Sequence, residues 1–176
     1  IGNGIPTLIQ RFLPSEHQSA ALQEQALHLF LSYYDAPQNL LSTPYSGIST
    51  VLDTLHKAGI KLGVVSNKED ALVKDTICRC FPGIFDKISG HVLETLPKPD
   101  PHLLHEMLLY FGLSCKDVLY VGDTPVDIQT AHNAGLDGCG VVWGFRSEEE
   151  LRAAGAEYIA NTPNDLFTIA IRKTQK

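Results

Sequence analysis

From residue 48 onward, short apolar runs alternate with amphipathic stretches, and this alternation leaves few folds open. The runs are IKLGVVS (60–66), IFDKISG (84–90), DVLYVGD (117–123), GCGVVW (138–143) and EYIA (157–160). They are short and mostly rich in β-branched residues, as strands buried on both faces of a parallel sheet should be. Between them, 48–58, 69–80, 101–111, 125–134, 147–154 and 163–173 read as helices. Gly59 and Gly135 stand where helix C-caps are expected, Ser147 at an N-cap, and Pro163 near a first helical position. The expected fold class is therefore α/β, a parallel sheet with helices on both faces. The first residues differ. Residues 5–12 and 19–34 read as helices only, with Leu22, Ala26, Leu29, Phe30 and Tyr33 at helical spacing. Pro14 separates the two, and Ser15 is the expected N-cap of the second. A connector at 36–46 carries Pro37, Asn39 and Pro44. The expected organisation is a small helical module at 1–43 and an α/β core at 44–176.

In sheets of this kind, ligands bind beyond the carboxyl ends of the strands. Three ends carry polar residues. At Val65-Ser66-Asn67-Lys68, a hydroxyl and an amide stand where the apolar run stops and a helix is expected, a place suited to an anion. Taken alone, an ordinary helix cap by Ser66 or Asn67 is the better account of them. At Leu96-Pro97-Lys98-Pro99-Asp100-Pro101, prolines flank a lysine and stiffen its backbone. This suits a fixed inward cation, and a solvated lysine in a Pro-rich turn is the alternative. At Tyr120-Val121-Gly122-Asp123-Thr124-Pro125-Val126-Asp127, two carboxylates stand four residues apart. With Asp127 in the first helical turn, both face one crevice and suit Mg²⁺, which is often held by one or two carboxylates plus water and phosphate. The alternative makes Asp123 a helix cap and Asp127 a partner of the helix dipole.

These three segments, in this order, resemble the haloacid-dehalogenase superfamily. VVSNK (64–68) resembles its motif II, KPDP (98–101) its motif III, and VGDTPVDIQTAHNAG (121–135) its motif IV. Within the superfamily the chain is most similar to phosphoglycolate phosphatases. IGNGIPTLIQRFL (1–13) is similar to part of their helical cap, and PYSGI (44–48) to the hinge back to the core. WGFRSEEEL (143–151) and AGAEYIANTPNDL (154–166) are similar to their closing elements. The resemblance implies a magnesium-dependent phosphomonoester hydrolase working through an aspartyl-phosphate on a small phosphorylated metabolite, foremost 2-phosphoglycolate. It implies that Ser66 and Lys98 bind phosphate, that Asn67 assists through its N–H or side chain, that Asp123 ligates Mg²⁺, and that Asp127 supports the site. Gly2, Asn3 and Gly4 would form a turn near the substrate. A pyrophosphatase, a nucleotidase or a sugar-phosphate enzyme is the nearest alternative. A haloalkanoate dehalogenase is disfavoured, because GDTPVD suits a metal site.

One part of the family's pattern is missing. Its motif I, DxDxT, supplies the nucleophilic aspartate and the acid–base aspartate, yet no two aspartates in this sequence stand two apart. That motif lies on a strand between the motif II and motif IV strands and precedes the cap. The sheet of this chain is therefore expected to be split, and residues 1–176 alone are expected to be inactive. A catalytically inactive phosphate-binding protein is the alternative from another class.

Composition narrows the partners. Hydrophobic residues form 44% of the chain, enough for a core, and the net charge of −6 argues against nucleic acid. No apolar run reaches membrane-span length, so no membrane partner is expected. Cys78, Cys80, Cys115 and Cys139 form no CxxC pair and read as reduced thiols, as expected in the cytoplasm; the expected assembly is a monomer or a homodimer. The seven histidines form no HxH or HExxH pair. His102 and His105 are expected at the surface, and Arg146 in a structural ion pair.

Overall fold

A computed structural model describes residues 5–34, 42–92 and 95–174. The helical module contains α1 (Ile5–Phe12) and α2 (Ala20–Tyr34), separated by a 3-10 turn at Ser15–His17. Ser15 lies in this turn and does not cap α2. The turn closes when His17 N–H donates to the Pro14 carbonyl at 2.8 Å, and the first bonds of α2 go to the Ser19 carbonyl instead. Gln18 ties the junction together. Its Nε2 donates to the Gln10 and Leu13 carbonyls, both at 2.7 Å, which satisfies acceptors left over at the end of α1.

The core runs α3 (Ile48–Lys57), β1 (Gly63–Glu69), α4 (Asp70–Cys80), β2 (Lys87–His91), α5 (His102–Phe111), β3 (Leu119–Gly122), α6 (Pro125–Asn133), β4 (Asp137–Val141), α7 (Glu148–Ala153), β5 (Tyr158–Ala160) and α8 (Pro163–Thr174). Every strand pair is parallel, as the alternation predicts. β1 starts three residues later than its apolar run because Gly63 is the first residue with a ladder partner, Lys87. Just before it, Asp86 takes over: its carboxylate accepts from Leu62 N–H at 2.9 Å, and its N–H donates to the Leu62 carbonyl at 2.8 Å. The far end of β1 also runs past the apolar residues, to Glu69 opposite His91.

Two apolar clusters hold the layers. In one, Leu104, Met107 and Leu108 of α5 meet Tyr120, Ala131, Ala134 and Leu136. In the other, Cys139, Val141, Ala160 and Leu166 join β4 and β5 to α8. Ile128 of α6 and Leu151 of α7 are fully buried, each side chain contributing about 1.5–3 kcal/mol. Cys139 is equally enclosed, and burial pushes its thiol up to about 12.

The sheet is divided, as expected for a chain without the motif I strand. β1 pairs with β2, while β3, β4 and β5 form a separate sheet. Between them lies a groove of about 750 Å³. Gly63, Val64 and Val65 line one side and Leu119, Tyr120 and Val121 the other. Leu104, Met107 and Phe111 of α5, with Leu52, Leu55 and Leu166 of α3 and α8, also line it. The groove thus has strand edges at its flanks and apolar walls.

Candidate active site

The carboxyl ends of β1 and β3 open onto a second cavity of about 430 Å³. Ser66, Asn67, Lys98, Asp123 and Asp127 all line it, together with Lys68, Tyr120, Thr124 and Phe145. Ile5, Leu8 and Phe30 of the helical module give it an apolar wall. The structure therefore brings every core residue singled out from the sequence to one place. Gly2, Asn3 and Gly4 lie outside the described residues.

Ser66 and Asn67 are not at a helix start. Strand pairing carries β1 on to Glu69, so α4 begins only at Asp70. The Ser66 hydroxyl oxygen accepts from Lys68 N–H at 3.1 Å, which leaves its own hydrogen to donate to an anion. The Asn67 side chain reaches the Lys98 main chain. Oδ1 accepts from Lys98 N–H at 2.6 Å, and Nδ2 donates to the Lys98 carbonyl at 3.3 Å.

Lys98 points inward, not to solvent; the Lys98–Pro99 peptide is cis. Its Nζ lies 2.6 Å from Asp127 Oδ1 and 3.4 Å from the Tyr120 hydroxyl. Burial works against the lysine's charge. Tyr120 and Asp127 beside it outweigh that effect and hold Lys98 above its ordinary value. At Tyr120 burial has the opposite sense and raises the hydroxyl, against the pull of Lys98.

Asp127 is fixed from two directions. Thr124, rather than Asp123, is the N-cap of α6, with Pro125 at the first helical position. Thr124 N–H and Oγ1 donate to Asp127 Oδ2 at 3.1 and 2.7 Å, completing a capping box. Both Asp127 oxygens are thereby occupied, one by Thr124 and one by Lys98. Gly122 makes this close approach possible, since a Cβ there would stand 2.1 Å from Asp127 Cβ.

Asp123 is spared from capping and turns to the β4–α7 loop. Its Oδ2 accepts from Phe145 N–H at 2.9 Å. Gly144 cradles it, and a Cβ at that position would meet Asp123 Oδ2 at 2.3 Å. Asp123 is thus the carboxylate suited to a divalent cation. Among the described residues no group of three His, Cys, Asp or Glu gathers as a metal cage. Mg²⁺ does not require one, because it commonly keeps water and substrate oxygens around one or two carboxylates. Arg146 pairs with Glu150 at 3.6 Å, and His102 and His105 are exposed, as expected.

Sequence reasoning missed Tyr120, Thr124, Gly144, Phe145 and Asn133. Thr124-Pro125-Val126-Asp127 was legible as a capping box. Asn133 was not, because its Nδ2 donates to the Pro99 carbonyl, at 2.8 Å, across 34 residues.

The model of the haloacid dehalogenase-like hydrolase family matches residues 1–141. A phosphoglycolate phosphatase of Vibrio cholerae is 33% identical, over 97% of this chain and 78% of its own length. A phosphoglycolate phosphatase of Pseudomonas putida is also 33% identical, over 82% of this chain and 55% of its own length. A crystal structure from Lactobacillus delbrueckii subsp. bulgaricus, provisionally assigned as a phosphoglycolate phosphatase, superposes with a TM-score of 0.90 at 29% identity, over 97% of this chain and 80% of that one. The motifs, their convergence on one cavity and these similarities together identify the chain as a member of the haloacid dehalogenase-like hydrolase family, similar within it to phosphoglycolate phosphatases.

Proposed function

We propose that this chain carries the phosphate-gripping and metal-binding residues of a magnesium-dependent phosphomonoester hydrolase, with 2-phosphoglycolate the foremost substrate. The convergence of Ser66, Lys98 and Asp123 on one cavity beyond the strand ends carries this reading. The cavity size suits a small metabolite, and the names of the relatives support the choice of ester.

In this reading the Ser66 hydroxyl donates to a phosphoryl oxygen, its own oxygen being held by Lys68 N–H. Lys98 places its ammonium against the equatorial oxygens and offsets charge as it builds there. Asp127 keeps that lysine charged and aimed. Asp123, braced by Phe145 N–H, would hold magnesium. When bound, magnesium supplies charge neutralisation between the nucleophile and the transferring group. The nucleophile itself is assigned to an aspartate on a strand seated in the groove between β1 and β3. Among the described residues β1 and β3 each leave one edge without a strand partner, and both reach the cavity. An aspartyl-phosphate formed there is the expected intermediate.

The lack of any DxD in the sequence favours one second reading, a phosphate-binding protein without turnover. A panel of 2-phosphoglycolate, pyrophosphate, nucleotides and sugar phosphates, offered to the full-length protein with and without Mg²⁺, separates the readings. Magnesium-dependent release of phosphate from 2-phosphoglycolate supports the proposal. Cleavage of pyrophosphate alone overturns the substrate, and phosphate binding without cleavage of any ester favours the second reading.

A further inference from the structure

Lys98 stands in a loop that belongs to neither sheet, yet its ammonium must be placed with precision. Its position comes from its main chain as well as from Asp127. The Asn67 amide makes a two-point clamp on the Lys98 main chain, accepting from its N–H at 2.6 Å and donating to its C=O at 3.3 Å. The next carbonyl, that of Pro99, accepts from Asn133 Nδ2 at 2.8 Å. Asn67 comes from β1 in one sheet, and Asn133 from the last turn of α6, which packs on the other sheet. Two amides therefore hold consecutive carbonyls of the loop from opposite sides of the divided sheet. The chain Asn67–Lys98–Asp127 is a polar bridge between the two sheets.

We propose that Asn67 is a positioning residue for Lys98, acting through the lysine's main chain, that its side chain is not a phosphate ligand, and that Asn133 shares this task. The inference rests on the reading of Lys98 as the cation that meets phosphoryl oxygens. Asn133 is exposed and does not line the cavity, so it has no direct route to a substrate. A misplacement on the order of 1 Å can lower a rate by about 100-fold, and a loosened Lys98 main chain permits a displacement of that size.

The test is a double-mutant cycle on the full-length protein, with kcat/KM measured on the ester it cleaves best. Asn67→Ala should lower kcat/KM by about 10- to 100-fold when Lys98 is present. In a Lys98→Met background the same change should cost less than about twofold, because the effect travels through Lys98. An equal factor in both backgrounds would mean that Asn67 meets the substrate itself, and overturns the proposal. Asn133→Ala should lower kcat and likewise lose its effect in the Lys98→Met background; unchanged kcat overturns its share. Hydrogen exchange at the Lys98 amide gives an answer independent of turnover. It should be protected in the parent protein and exchange faster in Asn67→Ala; protection retained in the variant overturns the clamp. A parent protein that cleaves no phosphate ester sinks the proposed function, while the amide exchange still decides the clamp.

Discussion

Two ion pairs in this protein share one geometry in different surroundings, and the contrast gives a quantitative prediction. Lys98–Asp127 and Lys57–Asp53 both have an N–O separation of 2.6 Å. The side chains of the first pair are 13% and 9% exposed, those of the second 72% and 43%. Asp127→Asn preserves shape and keeps an oxygen for Thr124, but it strips Lys98 of its counter-charge in a buried place. Removing one partner of a buried pair costs about 3–5 kcal/mol. The cavity beside Lys98 admits water, so the lower end, about 3 kcal/mol, applies. In a chain of 176 residues, each kcal/mol corresponds to about 2–4 °C in Tm, which gives a loss of roughly 6–12 °C. Asp53→Asn breaks a solvated pair worth about 0–1 kcal/mol and should shift Tm by at most about 4 °C. Thermal unfolding of the full-length variants at neutral pH, followed by circular dichroism, measures both. Adding Lys98→Met to Asp127→Asn should recover part of the loss, because it removes the stranded cation. Equal shifts for the two aspartate variants, or no recovery in the double variant, would refute the argument.

Other predictions follow from the same geometry. Gly122→Ala would drive a methyl into Asp127, whose Cβ stands 2.1 Å from that position, and should destabilise the fold by about 1–3 kcal/mol; an unchanged unfolding midpoint contradicts the close approach. Asp123→Asn should sharply raise the magnesium concentration needed for half-maximal turnover, and an unaltered magnesium titration removes its assignment as ligand. Acid stability should rest partly on Asp70 and Asp86. Donation from Lys74 and from Gly90 N–H holds Asp70 below its ordinary 3.8, and Leu62 N–H, working against burial, does the same for Asp86 with help from Lys61. Because these values are depressed in the folded state, the stabilisation is complete above about pH 4 and is lost as the pH falls through them. Unfolding free energies should therefore drop below about pH 4, less steeply in Asp70→Asn; an equally steep drop in that variant argues against Asp70's part in it.

The pattern of apolar residues made the element order legible, because short apolar runs and amphipathic helical stretches leave different periods. It did not make the ends of β1 legible. Those depend on which residues meet a partner, and Gly63 meets Lys87 while Ile60 does not. The site was legible where residue type and local spacing carried the signal. Ser66 follows the last regular ladder residue of β1, Lys98 lies in the loop between β2 and α5, Asp123 and Asp127 follow β3, and all four line one cavity. Whether Asp123 or Thr124 caps α6 turned on the backbone at one residue, and with Thr124 in the cap Asp123 faces the cavity. The contacts of Asn67 and Asn133 were not legible, because each joins residues more than 30 positions apart. An asparagine side chain is equally suited to an anion, a cap or a peptide group, and only the fold selects among them.

The central claim is that Ser66, Lys98 and Asp123 form one phosphate-and-magnesium site. A crystal structure of the full-length protein grown with Mg²⁺ and vanadate as a phosphate mimic tests it most directly. The anion should lie within hydrogen-bond distance of Ser66 Oγ and Lys98 Nζ, with magnesium bound to the Asp123 carboxylate beside it. Vanadate bound away from Ser66 and Lys98, or magnesium held without Asp123, would contradict the account.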